Sequence, residues 1–501
     1  MSYKIKKAFA RILAIVLTVM LIALGMSACS KSAENESDAV TATDTGIDLS
    51  ELFTDRDLET GYDESEAETI TLSDNATTSE SRNVTIDGNN VTITDEGVYL
   101  LSGTLSNGQI IVNAEETDKV QLVLNGVSIT SQTTAAIYVI NADKVFITTT
   151  ENSENTLSES GEFVADGDTN IDAVIFSKSD VTLNGLGTLT VSTEYGNGIT
   201  SKDDLKLTSG TYDITVSGKG LEANDSIRIA NGVYTIVSED DSLHSNDYTT
   251  IVGGDFTLTS GDDGIHSDGT TTVSAGTVNI VKSYEGIEGT AIYITGGEIS
   301  IVASDDGLNA AGGNDQSGYG TMMDEFAADE NAIISISGGM LTVNAEGDGI
   351  DSNGSIEITG GETYVCGPTN NGNGALDYNG TAKITGGTII ALGSSGMAMN
   401  MSEATQGSIL VNFNASYSNE EITVTDSDGN TIISFTSTKS FNSVMVSSPD
   451  LKKGETYTIS IGETYQTVTL DDYIYGSGSG MGMGGGMGGM QDGFGSSPMR
   501  Q

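Results

Sequence analysis

The chain has 501 residues, with 63 Gly, 3 Pro, no Trp and 2 Cys, and carries 71 acidic against 20 basic side chains, a net charge of −51. That charge excludes nucleic acid and anionic membrane surfaces as direct partners, because both would repel it. Two cysteines exclude a disulfide framework, and abundant Gly, Thr, Ser, Ile and Val favour short strands and tight turns over helices.

In chain order, Lys4, Lys6, Lys7 and Arg11 precede an apolar run from Ile12 to Leu24, and small residues then lead to Cys29. This pattern predicts a secretory signal peptide over residues 1–28, its apolar core being too short for a transmembrane helix. Ser27-Ala28-Cys29 resembles the lipobox of bacterial lipoproteins, so Cys29 is the expected lipidation site. The expected location is the outer face of the bacterial cell membrane, reached through the lipid anchor only. Losing four of the 20 basic residues leaves 16 against 71 acids, a net −55 for the mature chain. Residues 29–50 read as an acidic, solvated tether. From Glu51 the words ELFTDRDLETGYDES are more specific and predict an ordered cap.

A repeat then sets the fold. Glycine opens an alternating apolar segment at Gly210, Gly232, Gly254, Gly276, Gly297, Gly339, Gly361 and Gly387, with first intervals of 22, 22, 22 and 21 residues. The residues two and four places after each glycine are mostly apolar, which is the period of a strand with one buried face. A second apolar column runs through Ile199, Leu221, Leu243, Ile265, Ile287, Leu308, Ile350 and Leu376. Short strands at this period, without helical periodicity, predict an all-β chain: a right-handed parallel β-helix of about 22-residue coils over residues 51–401. Val120 to Thr130 and Ser179 to Val191 read as earlier coils of the same solenoid, and the interval from Gly297 to Gly339 holds an insertion, Asn314 to Glu330. Residues 402–472 alternate over short strands and predict a small β-sandwich-like cap on the last coil, whose strand edges would otherwise be free. The Gly/Met-rich residues 473–501 cannot form a core and read as a disordered tail. Cys366, lacking a partner, reads as a small core residue.

Aligned on the second apolar column, acids return in register. Two places before it stand Asp241, Asp263, Glu285, Asp306 and Asp348, and three places before it Asp240, Asp262 and Asp305. One place after it stand Glu222, His244, His266, Glu288, Asn309, Asp351 and Asp377. Equivalent residues on adjacent coils lie about 4.8 Å apart, where two carboxylates repel by roughly 1 kcal/mol in water and more where water is excluded. Solvated Asp-Gly turns account for some members. Paired acids in register fit Ca²⁺, which takes hard oxygen ligands. The candidate metal ligands are therefore Asp240, Asp241, Asp262, Asp263, Glu285, Asp305, Asp306, Asp348 and Asp351. The only two histidines, His244 and His266, stand one repeat apart and are expected to bond to neighbouring acids in preference to a metal.

The DDG-(I/L) repeats, GPTNNGNGALDYNG (Gly367 to Gly380), SFNSVMVSSPDLKKGETYTI and FTDRDLETGYDES together resemble the clostridial-type carbohydrate-binding β-helix lipoproteins, a family similar in architecture to pectate lyases. The resemblance spans roughly Glu51 to Gln466. It implies a surface protein that binds plant cell-wall polysaccharide, pectic or cellulosic, with bound calcium, and a monomer is expected. It places calcium at Asp262 and Asp263 with His266, at Asp305 and Asp306 with Asn309, and at Asp348 with Asp351. Tyr284, Tyr319, Tyr378, Asn371 and Asn373 are the candidate sugar contacts. Two other functions compete with this binding module. One is a calcium-dependent polysaccharide lyase, for which Lys219 is the candidate base. The other is a structural adhesin.

Overall fold

The structure is a computed structural model that describes residues 48–311 and 328–476. Its strands wind into a parallel β-helix whose coils each contribute to three sheets. In the first sheet thirteen parallel strands, among the described residues, run in register from Ala67–Ser73 to Thr388–Gly393. The second apolar column forms the second sheet, with Leu221, Leu243, Ile265, Ile287, Leu308, Ile350 and Leu376 in direct register. The third sheet runs from Lys144–Thr149 through Ser226–Ile229 to Ala382–Ile384. Among the described residues no helix is long and apolar enough to cross a membrane.

The eight repeat glycines from Gly210 to Gly387 all have positive φ, between 76° and 133°. At Gly276 an added Cβ would meet the Gly254 carbonyl at 2.5 Å, so the corner demands glycine twice over. Two residues on, the inward side chains stack coil upon coil. The rings of Tyr212 and Tyr234 lie 5.2 Å apart and nearly parallel, and those of Tyr234 and Phe256 are 4.6 Å apart. Both tyrosine hydroxyls donate to backbone carbonyls, of Ser209 and Asn231, at 2.7 Å. The burial therefore leaves no polar orphan there. The insertion leaves the register intact: Ile299 pairs with Leu341 although 42 residues separate them.

Both ends of the solenoid differ from its middle. The last first-sheet strand, Thr388–Gly393, is met in antiparallel fashion by Phe441–Ser448, which pairs in turn with Gly407–Tyr417. A four-stranded antiparallel sheet, Thr431–Thr436, Glu421–Thr425, Thr456–Ile461 and Thr464–Thr469, packs its apolar face against them. The cap core includes Ile390 and Leu392, which point outward from the last coil. Cys366 is buried with Ser437 3.6 Å away.

The leading segment 48–62 is a strap across the outer side of the third sheet. Asp57, fully buried, accepts from Lys144 Nζ at 2.6 Å, Thr182 Oγ1 at 2.7 Å and the Thr54 amide at 2.9 Å, with Lys206 Nζ 3.5 Å away. Its carbonyl accepts from Thr208, and Arg228 reaches the Leu52 carbonyl. Arg56 lies over the Phe146 ring at 4.4 Å. The strap thus touches successive coils along the side of the helix. The expected signal peptide, Cys29, the tether up to residue 47, Tyr319 and the tail from 477 lie outside the described residues.

Candidate functional site: an acidic column along one corner

The corner between the first and second sheets carries the acids. The inner position, Asp241, Asp263, Glu285, Asp306 and Asp348, faces the next coil, and the backbone explains the choice of residue. Asp241 Oδ1 accepts the Asp263 amide at 3.0 Å, and Asp263 Oδ1 accepts the Glu285 amide at 3.1 Å. Asp306 Oδ1 accepts the Asp348 amide at 2.6 Å, and Asp348 Oδ1 accepts the Gly374 amide at 2.5 Å. One carboxylate oxygen thus satisfies a corner N–H that the ladder cannot reach. In the Asp241–His244 and Asp263–His266 pairs the second oxygen turns toward the strand column. Glu285 is the exception in the series, accepting from Asn309 Nδ2 at 2.8 Å instead.

The column has two electrostatic halves. At one end positive charge is present. Lys219 Nζ lies 2.8 Å from Asp241 and 3.4 Å from Asp240, and His244 Nδ1 lies 2.8 Å from Asp241. Burial would raise Asp241, but His244 and Lys219 outweigh it and hold this carboxyl well below the usual range. His266 Nδ1 faces Glu288 at 2.8 Å and Asp263 at 3.1 Å. Burial works against its charge, yet these two acids push His266 up to about 11. In that trio Asp263 is raised, mainly by burial, while Glu288 is held down chiefly by His266 against its own burial.

At the other end the charge is uncompensated. Asp306, Asp348 and Asp351 bring ligand oxygens within 4.8 Å of one another, although Asp306 and Asp348 are 42 residues apart. Among the described residues no Lys, Arg or His forms an ion pair with them or with Glu285. Burial and then neighbouring acids push Asp306 and Asp348 up to about 7, Asp351 to about 8 and Glu285 to about 9. Asn309 sits beside Asp351 in register, and its Oδ1 is buried without a hydrogen-bond partner. Three crowded carboxylates, with an unpartnered carbonyl oxygen on the residue paired to Asp351, are hard oxygen donors, so these residues fit calcium.

The structure regroups the ligands expected from the sequence. The convergent sets are Asp306–Asp348–Asp351, Asp240–Asp241–Asp262, Asp241–His244–His266 and Asp263–His266–Glu288. Asp305 instead bonds the exposed Tyr284, pushing that phenol up to about 12. Tyr378 is committed to the frame: its hydroxyl donates to the Asn400 carbonyl at 2.7 Å, and it packs on the core. Asn371 is exposed but accepts from Ser394, and Asn373 is half-buried in the same loop. Lys219 is a poor base. Burial would ease its deprotonation, but Asp241 and Asp240 outweigh burial and raise it above an ordinary lysine. Glu288 and Asp268, partners of His266, are not among the ligands expected from the sequence. The signal for Glu288 was its place in register after His266.

The chain is thus a parallel β-solenoid with a column of crowded acids along one corner. Among known proteins, residues 87–330 match the family described as carbohydrate-binding domain-containing protein. A protein of that description from Acetivibrio thermocellus is 41% identical over 128 residues, 25% of this chain and 44% of the relative, so the match spans less than half of that protein. A solved chain described as the polysaccharide lyase-like protein from C. thermocellum, a gadolinium derivative, aligns over 64% of this chain and 96% of its own, with 24% identity and a TM-score of 0.36. The likeness read from the sequence is thus to a carbohydrate-binding domain, and it falls on the solenoid.

Proposed function

We propose that the protein is a cell-surface lipoprotein, anchored through Cys29, that binds plant cell-wall polysaccharide along the acidic corner with calcium as the bridge. The observation that carries this reading is the uncompensated Asp306–Asp348–Asp351 cluster with the orphaned Asn309 oxygen. A chain of net charge −51 repels a polyuronate, so attraction to one must run through bound cations. Asp306, Asp348, Asp351 and Asn309 would hold the ion, which supplies charge neutralisation and open positions for uronate oxygens. The exposed Tyr284 beside Asp305 offers a ring face for a sugar. The charged state of Lys219 disfavours the lyase alternative, which needs a neutral base.

The test is retardation of the protein in gels containing polygalacturonate or a neutral cellulosic polymer, with calcium or with chelator. Retardation by polygalacturonate should vanish in chelator, return with calcium and weaken in Asp351→Asn. Calcium-independent retardation would overturn the bridge, and no retardation by any polysaccharide would favour the adhesin. Unsaturated products accumulating with time would revive the lyase. A Cys29→Ala variant should leave the membrane fraction.

A further inference from the structure

We infer that His244 and His266, with Asp241 and Glu288, form a site for a borderline divalent cation of the Zn²⁺/Co²⁺/Ni²⁺ class, separate from the oxygen-only cluster and independent of the carbohydrate reading. These are the only two histidines in 501 residues, and the fold sets them in direct register on adjacent coils, rings stacked at 4.8 Å and 18°. Both Nδ1 atoms turn toward the acid column, and a metal ion bound there displaces the proton that His266 shares with Asp263 and Glu288. His244 Nδ1 lies 2.8 Å from Asp241 Oδ2, and His266 Nδ1 lies 2.8 Å from Glu288 Oε2 and 3.1 Å from Asp263 Oδ2. The ligand atoms of Asp241, His244 and His266 all fall within 4.8 Å of one another, as do those of Asp263, His266 and Glu288. Bonds of about 2.0–2.1 Å to two imidazoles in tetrahedral geometry bring the nitrogens to roughly 3.4 Å, so binding turns both rings out of their stack toward the ion, each by about half the tetrahedral angle.

The far side of His266 supports this assignment. Its Nε2 faces Asp268 Oδ1 at 3.2 Å, the carboxylate–imidazole arrangement that fixes tautomer and ring plane when the other nitrogen ligates a metal. Access is available through His244, whose side chain is 16% exposed. Lys219, now on Asp241, has Asp240 as its alternative partner. Two nitrogen donors select against calcium, which prefers oxygen, and in favour of later first-row divalent ions.

The experiment is a Co²⁺ titration of the untagged, chelator-treated full chain, followed by visible absorption and then by Zn²⁺ competition. Cobalt avoids the thioether-rich tail, because methionine selects softer ions. Expected is a saturable Co²⁺ spectrum that equimolar Zn²⁺ abolishes and equimolar Ca²⁺ leaves in place. His266→Gln and His244→Gln should each weaken Co²⁺ binding by at least about tenfold, and Asp268→Asn by roughly 10–100-fold. Asp348→Asn should leave Co²⁺ binding unchanged. If His266→Gln fails to fold, the partly exposed His244→Gln decides alone. No cobalt spectrum, a spectrum indifferent to His244→Gln, or displacement by equimolar Ca²⁺ would overturn the inference and leave the rings as partners of the acids only.

Discussion

Replacing Asp57 with alanine removes the carboxylate on which the strap is fastened. In the wild type that group is fully buried between Lys144 at 2.6 Å and Lys206 at 3.5 Å, with Thr182 and the Thr54 amide completing its shell. Removing one partner of a buried ion pair costs about 3–5 kcal/mol, because the remaining charges stay desolvated. Here two ammonium groups are left facing each other. The loss falls on strap docking, since the coils beneath keep their ladders, and it corresponds to roughly two to three and a half powers of ten in the undocked population. Trypsin reads that population directly at Arg56, which is held over the Phe146 ring while the strap is docked. When opening and closing are fast relative to cleavage, the cleavage rate follows the open fraction. Cleavage after Arg56 should therefore accelerate by at least a hundredfold in Asp57→Ala, with little change in the melting of the solenoid. The pH dependence has a definite sign. Burial would raise Asp57, but Lys144, Thr182 and Thr54 outweigh it and hold it well below the usual carboxylate range. Its stabilisation is present above the ordinary carboxylate pKa of about 4 and is lost as pH falls toward the folded value. The wild-type strap should loosen in acid, and the gap between wild type and variant should close there. Cleavage rates within threefold of each other at pH 7 would refute the clamp.

Calcium should raise the melting temperature more at pH 8 than at pH 5. Without a cation Asp306, Asp348 and Asp351 keep protons up to about 7, 7 and 8, so their contribution to stability is complete below about pH 4 and lost as pH rises through those values. A hundredfold excess of calcium over its dissociation constant restores about 2.7 kcal/mol, and an equal shift at both pH values would count against this site. Tyr234→Ala, which empties the middle of the three-ring stack, should cost about 3–5 kcal/mol by urea unfolding. A loss below 1 kcal/mol would mean the neighbouring coils collapse into the gap. Gly276→Ala, with φ +91° and a Cβ 2.5 Å from the Gly254 carbonyl, should destabilise more than Gly429→Ala, with φ +84° and open space around it. The second substitution incurs only the roughly 1–2 kcal/mol of the left-handed conformation, and equal losses would remove steric contact as the cause.

The repeat was legible because a parallel β-helix converts a sequence interval into a fixed spacing. Gly232, Gly254 and Gly276 mark the same corner of three successive coils, and the residues two places on, Tyr234, Phe256 and Val278, enter one core. The register of the acids followed from the same rule. Which acids converge did not, because that depends on side-chain direction at a corner where one carboxylate oxygen is already taken by the next coil's amide. Asp305, outside that inner series, bonds Tyr284, and Glu285, which takes no amide, accepts from Asn309. Lys219 stood out in the sequence as a candidate base, and only its geometry shows it to be the counterion of Asp240 and Asp241. The strap was the least legible part. Asp57 and Thr182 are 125 residues apart, and no periodicity connects them.

The antiparallel strand Phe441–Ser448 on the last coil also limits how this architecture can lengthen. A parallel coil templates another parallel coil, so a solenoid with a bare end grows by duplication at that end or by pairing with a second molecule. A strand running the other way satisfies the same edge but reverses direction, and the Gly407–Tyr417 strand beyond it continues the reversal. Growth at that end is therefore blocked, whereas in the interior whole coils can be added between existing ones and unequal segments looped out at corners. The 42-residue step from Ile299 to Leu341, taken without loss of register, shows the interior accommodating such a change. Homologous chains built on this plan should differ by multiples of about 22 residues inside the helix, while the reversed strands at its C-terminal end keep their length.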